Sequence, residues 1–296
     1  MNFSIIIPCY NAAHTLARAI DSLLVQRAYL SNIILMDDGS TDDTAQIAQD
    51  YQLRYPNLIE YHHQSNQGPA KARNQGVAYA KGDYILFLDA DDALTPNCLQ
   101  AFCLAFIDFP SVDIMIAGYT SVHGDRERSK YPTDFHTNAL LLQALWFGKF
   151  GSCGGAIALR KHCCQYAHYP ETIKHGEDVV FFSHLIAKFP AHTLPFIALK
   201  VFHSPNSLRH DKISTLEEAE AIIPLLFNPH YLSEEFMQLK AQYHAKQLLS
   251  LSRTAIRLKR YALARCFLAK AYGLHSASMY HIKPLKSLII AYTHRN

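Results

Sequence analysis

The stretch GDYILFLDADDALTP, residues 82–96, runs apolar from Tyr84 to Leu88 and then places three carboxylates, Asp89, Asp91 and Asp92, within four positions. A strand that ends in Asp-x-Asp aims two carboxylates from one tight loop at the same point. Hard cations such as Mg²⁺ prefer carboxylate oxygens together with phosphate oxygens and water. The pattern therefore indicates a site for a divalent metal that carries a diphosphate.

A purely structural explanation covers part of this stretch. Asp92 or Thr95 could cap a helix that begins near Pro96. Capping does not account for Asp89 and Asp91 together, because two carboxylates without a metal would repel each other at a sheet edge.

A second acidic turn, DDGSTDDT, occupies residues 37–44. Ser40 or Thr41 can cap the helix that follows. Capping does not require both Asp37 and Asp38, so we expect at least one of them to accept a hydrogen bond from a base or from a ribose hydroxyl.

The segment NQGPAKARNQG, residues 66–76, enters a helix at Gly68-Pro69 and carries Lys71 and Arg73 on its first turns. Cations beside the free N–H groups of a helix N-terminus form an anion site, and phosphate is the natural guest. The alternative is two solvent-facing cations on a surface helix.

The segment GEDVVFFSHLIAKF, residues 176–189, opens with Glu177 and Asp178 and continues with apolar residues at helical spacing. Acidic residues are favoured at a helix start whatever their function. The location of Glu177 and Asp178 at a helix start therefore predicts the helix, but it does not indicate a function for either carboxylate.

Alternating strands and helices position these clusters. Apolar runs predict strands and the stretches between them predict helices, which argues for a parallel sheet covered on both faces. Ligands of such sheets sit at the carboxyl ends of the strands, where the polar clusters fall. The predicted strands are 3–8, 32–37, 57–61, 83–89 and 112–118, and the predicted helices are 13–26, 42–54, 69–81 and 96–108.

The rest of the chain is less regular. Residues 119–176 predict loops, one short helix and a strand near 154–159, and HTLPFIALKVFH (192–203) predicts a pair of strands. After residue 211 the pattern is helical almost to the end. We therefore predict an α/β domain over residues 1–210 and a basic helical region over 211–296.

The amino-acid composition and the cysteine count indicate the cellular location of the protein. The chain has 296 residues, of which 49% are hydrophobic, and seven cysteines without CxxC spacing. An odd cysteine count of this kind favours neither a disulfide framework nor a zinc site and fits a reducing, cytoplasmic location. The N-terminus does not resemble a signal peptide, and no run reaches the roughly 18 apolar residues of a membrane span.

The charge is unevenly distributed. Residues 236–296 hold 11 Lys and Arg and no acid, which leaves 17 basic against 25 acidic residues in the first 235. Such asymmetry predicts an anionic partner for the tail. We expect peripheral attachment to an anionic membrane surface, the alternative being a helical cap with solvated cations. Nucleic acid is not expected, because no recognition motif accompanies the charge.

Four segments, SIIIPCYN, MDDGSTDDT, NQGPAKARNQG and GDYILFLDADD, occur in order, and HGEDVVFF follows. Together they resemble family 2 inverting glycosyltransferases of the GT-A fold, over roughly residues 3–210. The resemblance implies a Rossmann-like, mostly parallel sheet with helices on both faces. It also implies a UDP-sugar donor, Mn²⁺ or Mg²⁺, and a glycan or glycolipid acceptor.

The resemblance also implies roles for individual residues. Pro8 and Tyr10 would lie against the uracil and Asp38 would read it, while Arg73 would line the nucleotide and its phosphates. Asp89 would lie near the ribose, and Asp91 would hold the metal on the diphosphate. Asp178 would be the catalytic base. The residues assigned by resemblance or position are Pro8, Tyr10, Asp38, Lys71, Arg73, Asp89, Ala90, Asp91, Asp178 and, as a further metal or phosphate ligand, His203.

Transfer of one sugar per encounter is expected. Processive polymerases of the family carry a Gln-x-x-Arg-Trp motif and membrane spans, whereas here the single tryptophan, Trp146, follows LLQAL. The same resemblance implies inversion by one displacement, with a carboxylate taking the proton of the acceptor hydroxyl. Beyond the acidic motif, FHSPNSLRH offers His203, Ser207 and Arg209 where related enzymes fold a loop over the donor.

Two other functions fit parts of the pattern. Haloacid-dehalogenase-like phosphatases also place Asp-x-Asp after a strand, but they want Thr or Val where this chain has Ala93. A protein that binds nucleotide sugars without turning them over would keep the same fold. Metal-dependent hydrolysis of UDP-sugars distinguishes an enzyme from such a scaffold.

Overall fold

The apolar runs form the strands of one sheet. The computed structural model describes residues 1–148, 154–203 and 220–276. Its strands are β1 (Phe3–Cys9), β2 (Leu30–Asp38), β3 (Ile59–Gln64), β4 (Tyr84–Phe87), β5 (Ala93–Leu94), β6 (Ile114–His123), β7 (Arg126–Lys130), β8 (Ile157–Arg160) and β9 (Ala191–Phe202). They follow the order β3-β2-β1-β4-β8-β6-β9-β5, and β7 pairs with β6 outside this path.

The sheet has a parallel part and a mixed part. From β3 to β4 all neighbours are parallel. Beyond β4 the direction changes, because β8 runs antiparallel to both β4 and β6, while β6 and β9 are parallel. The carboxyl ends of β1, β2 and β4 therefore meet at one edge, where the predicted polar clusters emerge.

Helices cover both faces of the sheet. The helices of the first part of the chain are α1 (Leu16–Leu24), α2 (Thr44–Arg54), α3 (Pro69–Ala78), α4 (Cys98–Asp108), α5 (Asn138–Trp146) and α6 (Glu177–Lys188). On one face, buried residues of α1, α2 and α4 pack with Ile5 and Ile7 of β1. On the other face, α6 sets Phe181 edge-on against Phe87 of β4.

Helix α3 lies unusually close to the sheet on that second face. A methyl group added at Gly76 would stand 2.5 Å from Cγ2 of Ile6 and 3.2 Å from Cγ of Met36. Glycine is therefore needed in the middle of α3, although it lowers helix propensity. This close approach places the first turn of α3 beside the carboxyl ends of β1 and β2.

Two predictions about strands are wrong. Residues 126–130, predicted as loop, form β7. The stretch predicted to form a strand pair is the single strand β9, which runs from Ala191 to Phe202. Its pairing with β6 shifts register twice between Ile116 and Tyr119, so that residues 194–196 and 198 of β9 are skipped. Pro195 falls in the skipped segment. Since proline has no N–H to donate, an irregular ladder accommodates it without breaking the strand.

The chain divides into two compact units, Met1–Ser204 and Pro205–Asn296. The predicted boundary after residue 210 lies outside the described residues, as do Ser207 and Arg209. The described part of the second unit contains α7 (Ile222–Leu226), α8 (Glu234–Met237), α9 (Lys240–Arg257) and α10 (Tyr261–Leu274). Among the residues described, no helix is long and apolar enough to cross a bilayer.

Candidate active site

Three carboxylates meet in the loop after β4. Each of Asp89, Asp91 and Asp92 offers an oxygen that lies within 4.8 Å of the others. A tight turn brings them together, since the amide of Asp92 donates to the carbonyl of Asp89 over 3.0 Å. Ala90, between the first two acids, is buried. The sequence predicts a metal role for Asp89 and Asp91 only, and the structure adds Asp92 to the cluster.

Asp92 ties this loop to the end of β9. Its Oδ1 accepts a hydrogen bond from the amide of Phe202 over 3.1 Å, and the residue is almost fully buried. The capping alternative is wrong, because Asn97 occupies the cap position of α4 and makes no side-chain cap bond. The hydroxyl of Thr95 instead donates to the carbonyl of Ile197 over 2.7 Å.

Arg73 connects the acidic loop to the start of α6. Its Nη2 donates to Oδ1 of Asp89 over 2.8 Å, and its Nη1 donates to Oε1 of Glu177 over 3.1 Å. The guanidinium carbon stands 5.1 Å from the ring centre of the buried Tyr169. Burial alone would lower the pKa of Arg73, but the charges of Asp89 and Glu177 outweigh burial and raise it. Arg73 is thus paired with carboxylates.

Glu177 and Asp178 form the first turn of α6, after Gly176 with its positive φ of 82°. Burial raises the pKa of Glu177, and the charge of Asp178 raises it further, against the opposing effect of Arg73. Asp178 itself is half-buried, and its Oδ1 accepts a hydrogen bond from the amide of Val179. The two neighbouring carboxylates therefore differ: Glu177 pairs with Arg73, and Asp178 lies beside that pair.

The two acids at the end of β2 hold loops in place. Oδ1 of Asp38 accepts hydrogen bonds from Nε2 of Gln64 and the amide of Gln67, and Oδ2 accepts from the amide of Gly68, all within 2.8 Å. Asp38 is 3% exposed. This carboxylate therefore fixes the loop that leads into α3, whatever else it contacts.

Asp37, like Asp38, accepts several hydrogen bonds. Its carboxylate accepts from the amide of Ser40 over 2.9 Å and from the hydroxyl of Tyr61 over 2.7 Å. Burial opposes ionisation, but these hydrogen bonds, with one from His63, hold the pKa of Asp37 below its usual value. Asp37 is therefore a charged structural residue of the turn.

The loops after β1 and β2 are bonded to each other. The amide of Asn11 donates to Oγ of Ser40 over 3.0 Å, and Oδ1 of Asn11 accepts from the amide of Thr41 over 2.8 Å. The predicted capping role of Ser40 and Thr41 is wrong, because Asp43 occupies the cap position of α2. Near these bonds, half-buried Pro8 lies two residues before Tyr10, which is 53% exposed.

Lys71 lies apart from Arg73. Its Nζ stands 3.1 Å from Oε2 of Glu171. It lines an open pocket of about 460 Å³. Besides Lys71 and Glu171, the pocket is lined by Asn74, Gln75, His168 and Tyr169. The two cations predicted to form one anion site are therefore paired with different carboxylates.

His203 follows β9 directly but is not a member of the carboxylate cluster. Its Nε2 lies 2.7 Å from Oγ of Ser121, and its ring stacks on His123 with centres 3.7 Å apart. A role for His203 as a metal or phosphate ligand stays a prediction.

Sequence reasoning missed Arg18. From α1 it donates through Nη2 to the backbone carbonyl of Asp91 over 2.5 Å, and its guanidinium lies 3.9 Å from the ring centre of Phe202. Arg18 therefore supports both the acidic loop and the end of β9. No motif marks it, because a single cation on an amphipathic helix has the appearance of an ordinary surface residue.

Comparisons with known proteins agree on one family. The profile of "Glycosyl transferase family 2" matches residues 4–164, more than half of the chain. The minor teichoic acid biosynthesis protein GgaA of Bacillus subtilis is 35% identical over 63% of this chain and 43% of its own length. The chain spans less than half the length of the curated relatives it matches.

Solved structures share the fold. S. aureus TarS residues 1–349, solved with UDP-GlcNAc, superposes with a TM-score of 0.70 at 21% identity, covering 100% of this chain and 92% of that one. A mannosyltransferase from Pyrobaculum calidifontis, solved with GDP-Man and Mn²⁺, gives 0.57 at 18% identity, covering 99% and 86%. At such identities the likeness shows the fold, which is the predicted GT-A fold.

We predict that Asp38→Asn destabilises the protein by about 1–3 kcal/mol, because the new NH₂ group faces a buried backbone N–H that loses its acceptor. Asp43→Asn is the matched control, since Asp43 is exposed and makes no side-chain cap bond. Urea denaturation of both variants gives the comparison. Equal stability of the two variants would show that Asp38 does not hold the loop.

We predict that Arg73→Met lowers the free energy of unfolding by about 3 kcal/mol near neutral pH, because Glu177 then stays buried without its partner. The pKa of Glu177 is already raised, and losing Arg73 raises it further. The folded variant therefore takes up a proton, and its deficit shrinks as pH falls from about 8 to about 5. The double variant Arg73→Met/Glu177→Gln should show little of this pH dependence. A deficit for Arg73→Met that is independent of pH would contradict the ion pair.

Proposed function

The chain belongs to glycosyltransferase family 2, and from this premise we propose that it transfers one sugar from a UDP-sugar to a hydroxyl of a surface glycan. The acceptor would be lipooligosaccharide, capsule or a lipid-linked oligosaccharide. Transfer would be metal-dependent, non-processive and inverting. The observation that carries the proposal is the carboxylate cluster of Asp89, Asp91 and Asp92, which Arg73 links through Asp89 and Glu177 to the start of α6, where Asp178 lies.

The carboxylate cluster fits a hard divalent cation. Three carboxylates within 4.8 Å supply the oxygen ligands that Mg²⁺ or Mn²⁺ prefers, and the remaining positions suit phosphate oxygens and water. Asp91 would hold the ion, with Asp92 beside it. When bound, such an ion offsets the negative charge that grows on a departing diphosphate.

The chain supplies the groups that position the loop. Arg73 forms an ion pair with Asp89, and Arg18 donates a hydrogen bond to the backbone carbonyl of Asp91 from the opposite face of the sheet. Asp92 is anchored to β9. Positioning of this kind reduces the reorganisation that the transfer step requires. Asp89 would then face the ribose and Asp91 the diphosphate.

Asp178 is the proposed general base. An acceptor hydroxyl is a poor nucleophile, so a carboxylate within hydrogen-bond reach takes its proton as the oxygen attacks the anomeric carbon. Attack from the face opposite the leaving group inverts the configuration. Glu177 is less suited to this role, because its carboxylate is committed to Arg73.

One group of residues and one comparison support a uridine nucleotide as donor. The exposed ring of Tyr10 and the nearby Pro8 would pack on the base, next to Asp38. TarS, which has the same fold, was solved with UDP-GlcNAc. Trp146 supports transfer without processivity, since it is buried in the core and donates to Oγ of Ser183 over 2.8 Å.

We predict that Asp178→Asn lowers turnover by about 100-fold or more while leaving UDP affinity unchanged, because general-base catalysis contributes at least that factor. Asp91→Ala should instead abolish the response to Mn²⁺. UDP release is followed for a panel of UDP-sugars with and without acceptor extract, and Asp50→Asn on α2 is the remote control.

Near-normal turnover by Asp178→Asn, with sound folding, would refute its role as the base. Binding of UDP-sugar without any hydrolysis or transfer by the wild-type protein would instead favour the non-catalytic alternative.

We also propose that the basic tail, residues 236–296, binds an anionic membrane surface. In its described part, α9 and α10 pack together through an apolar core. The turn between them exposes three cations, Arg257, Lys259 and Arg260. Cations near such a surface each contribute about 1 kcal/mol. A lipid-linked acceptor would be found at the same surface.

We predict that the intact protein sediments with vesicles containing phosphatidylglycerol at low salt, and that Arg257→Glu/Arg260→Glu abolishes this. The charge-matched control is Arg27→Glu/Arg54→Glu, which alters two exposed arginines elsewhere. Failure of the wild-type protein to sediment, or equal loss in both variants, would refute membrane binding by the tail.

A further inference from the structure

The hairpin β6–β7 carries a row of cations that the transfer chemistry does not use. We infer that this row binds the phosphate groups of a phosphodiester-containing acceptor chain beside the transfer site, an inference that rests on the proposed function. We call Arg126, Arg128 and Lys130, together with His123 and His203, the cationic strip. All five residues of β7 are exposed.

Strand geometry places these groups on one face. Arg126, Arg128 and Lys130 alternate along β7, and alternate residues of a strand point to the same side. Their partners across the ladder are His123, Ser121 and Tyr119 of β6. Directly opposed residues share a face with Cβ atoms about 5 Å apart.

Contacts along this face confirm the arrangement. Nζ of Lys130 donates to the hydroxyl of Tyr119 over 3.0 Å. Nε2 of His203 lies 2.7 Å from Oγ of Ser121, and the rings of His203 and His123 are stacked. The strip therefore extends from β7 across β6 to the end of β9.

Among the residues that the structure describes, few acids lie near this face. Glu127 lies on the opposite face, where it accepts a hydrogen bond from Nζ of Lys200 over 2.9 Å. Asp125 is in the turn at the tip of the hairpin. Within the described part of the chain, neither Arg126 nor Arg128 forms an ion pair. No acid of the described ranges therefore neutralises the three permanent charges of the strip.

The strip begins next to the carboxylate cluster. Asp92 of the cluster accepts the amide hydrogen of Phe202, and His203 is the next residue along the chain. The side chain of His203 contacts Ser121, which is paired with Arg128 across the β6–β7 ladder. The ring of His203 also stacks on His123, which is paired with Arg126. An acceptor lying on the strip would therefore have its end close to the proposed metal.

The spacing fits a chain that carries several phosphates. Cations two residues apart on a strand are separated by about 7 Å, so the row offers successive contacts along one line. Arginine binds phosphate with two parallel N–H bonds, which a neutral glycan would not need. The donor diphosphate has its own expected site at the carboxylate cluster, which leaves the strip for the acceptor.

Edge strands often carry cations simply to prevent aggregation, and β7 pairs only with β6 among the described strands. That explanation is satisfied by charge of either sign. An anion-binding surface requires positive charge, so charge reversal separates the two explanations.

The test measures binding of a fluorescently labelled oligo(glycerol phosphate) chain to the intact protein by anisotropy at low salt. We expect Arg126→Glu/Arg128→Glu to weaken binding by at least about tenfold, since two phosphate contacts are lost. Arg126→Gln/Arg128→Gln should give a smaller loss in the same direction. Arg27→Glu/Arg54→Glu is the charge-matched control and should bind within about twofold of wild type. All variants should retain the wild-type affinity for UDP with Mn²⁺.

Several results would overturn the inference. One is that the wild-type protein does not bind the probe, and another is that the control variant binds it as weakly as the hairpin variants. A third is that the hairpin variants lose UDP affinity to the same extent, which would assign the strip to the donor. Loss of phosphatidylglycerol-vesicle binding with unchanged probe binding would assign it to the membrane. A protein that binds the probe through the strip but binds no UDP would refute the proposed function while confirming the anion surface.

Discussion

The site depends on one buried cation held between two carboxylates. Arg73, in the middle of α3, bonds Asp89 after β4 and Glu177 at the start of α6. These three elements are separated widely in sequence, and one guanidinium fixes their relative positions. A buried arginine without partners would be strongly destabilising, and so would Glu177 without Arg73. The glycine at position 76 allows α3 to lie close enough to the sheet for this bridge to form.

Some of the carboxylates at this edge of the sheet have a structural role, and others are available for metal binding or proton transfer. Asp37, Asp38 and Asp92 are buried and accept backbone hydrogen bonds, so they shape the loops. Asp89 and Asp91 are less buried, and Asp178 lies beside the Arg73–Glu177 pair. Electrostatic repulsion among the three acids of the loop after β4 is the feature that a divalent cation would relieve.

The sequence predicts the framework well and the side-chain partners poorly. Apolar periodicity located β1, β2, β4 and the helices between them, because regular burial leaves a regular pattern. Strand β9 was predicted as two, because Pro195 marks a break in the pattern that the structure accommodates as a register shift. Lys71 and Arg73 have identical appearance in sequence, yet Arg73 bridges two acids while Lys71 pairs with Glu171. Arg18 contacts Asp91 from a helix without any motif, and only the tertiary fold shows it.

We expect the carboxylate cluster to bind a divalent metal together with a uridine diphosphate. A crystal structure with UDP and Mn²⁺, using anomalous scattering to locate the metal, would show both groups. It should contain an anomalous peak within coordination distance of Asp91 and of the diphosphate oxygens, with uracil near Tyr10. A nucleotide bound at this edge without metal, or a manganese ion held elsewhere in the protein, would contradict this expectation.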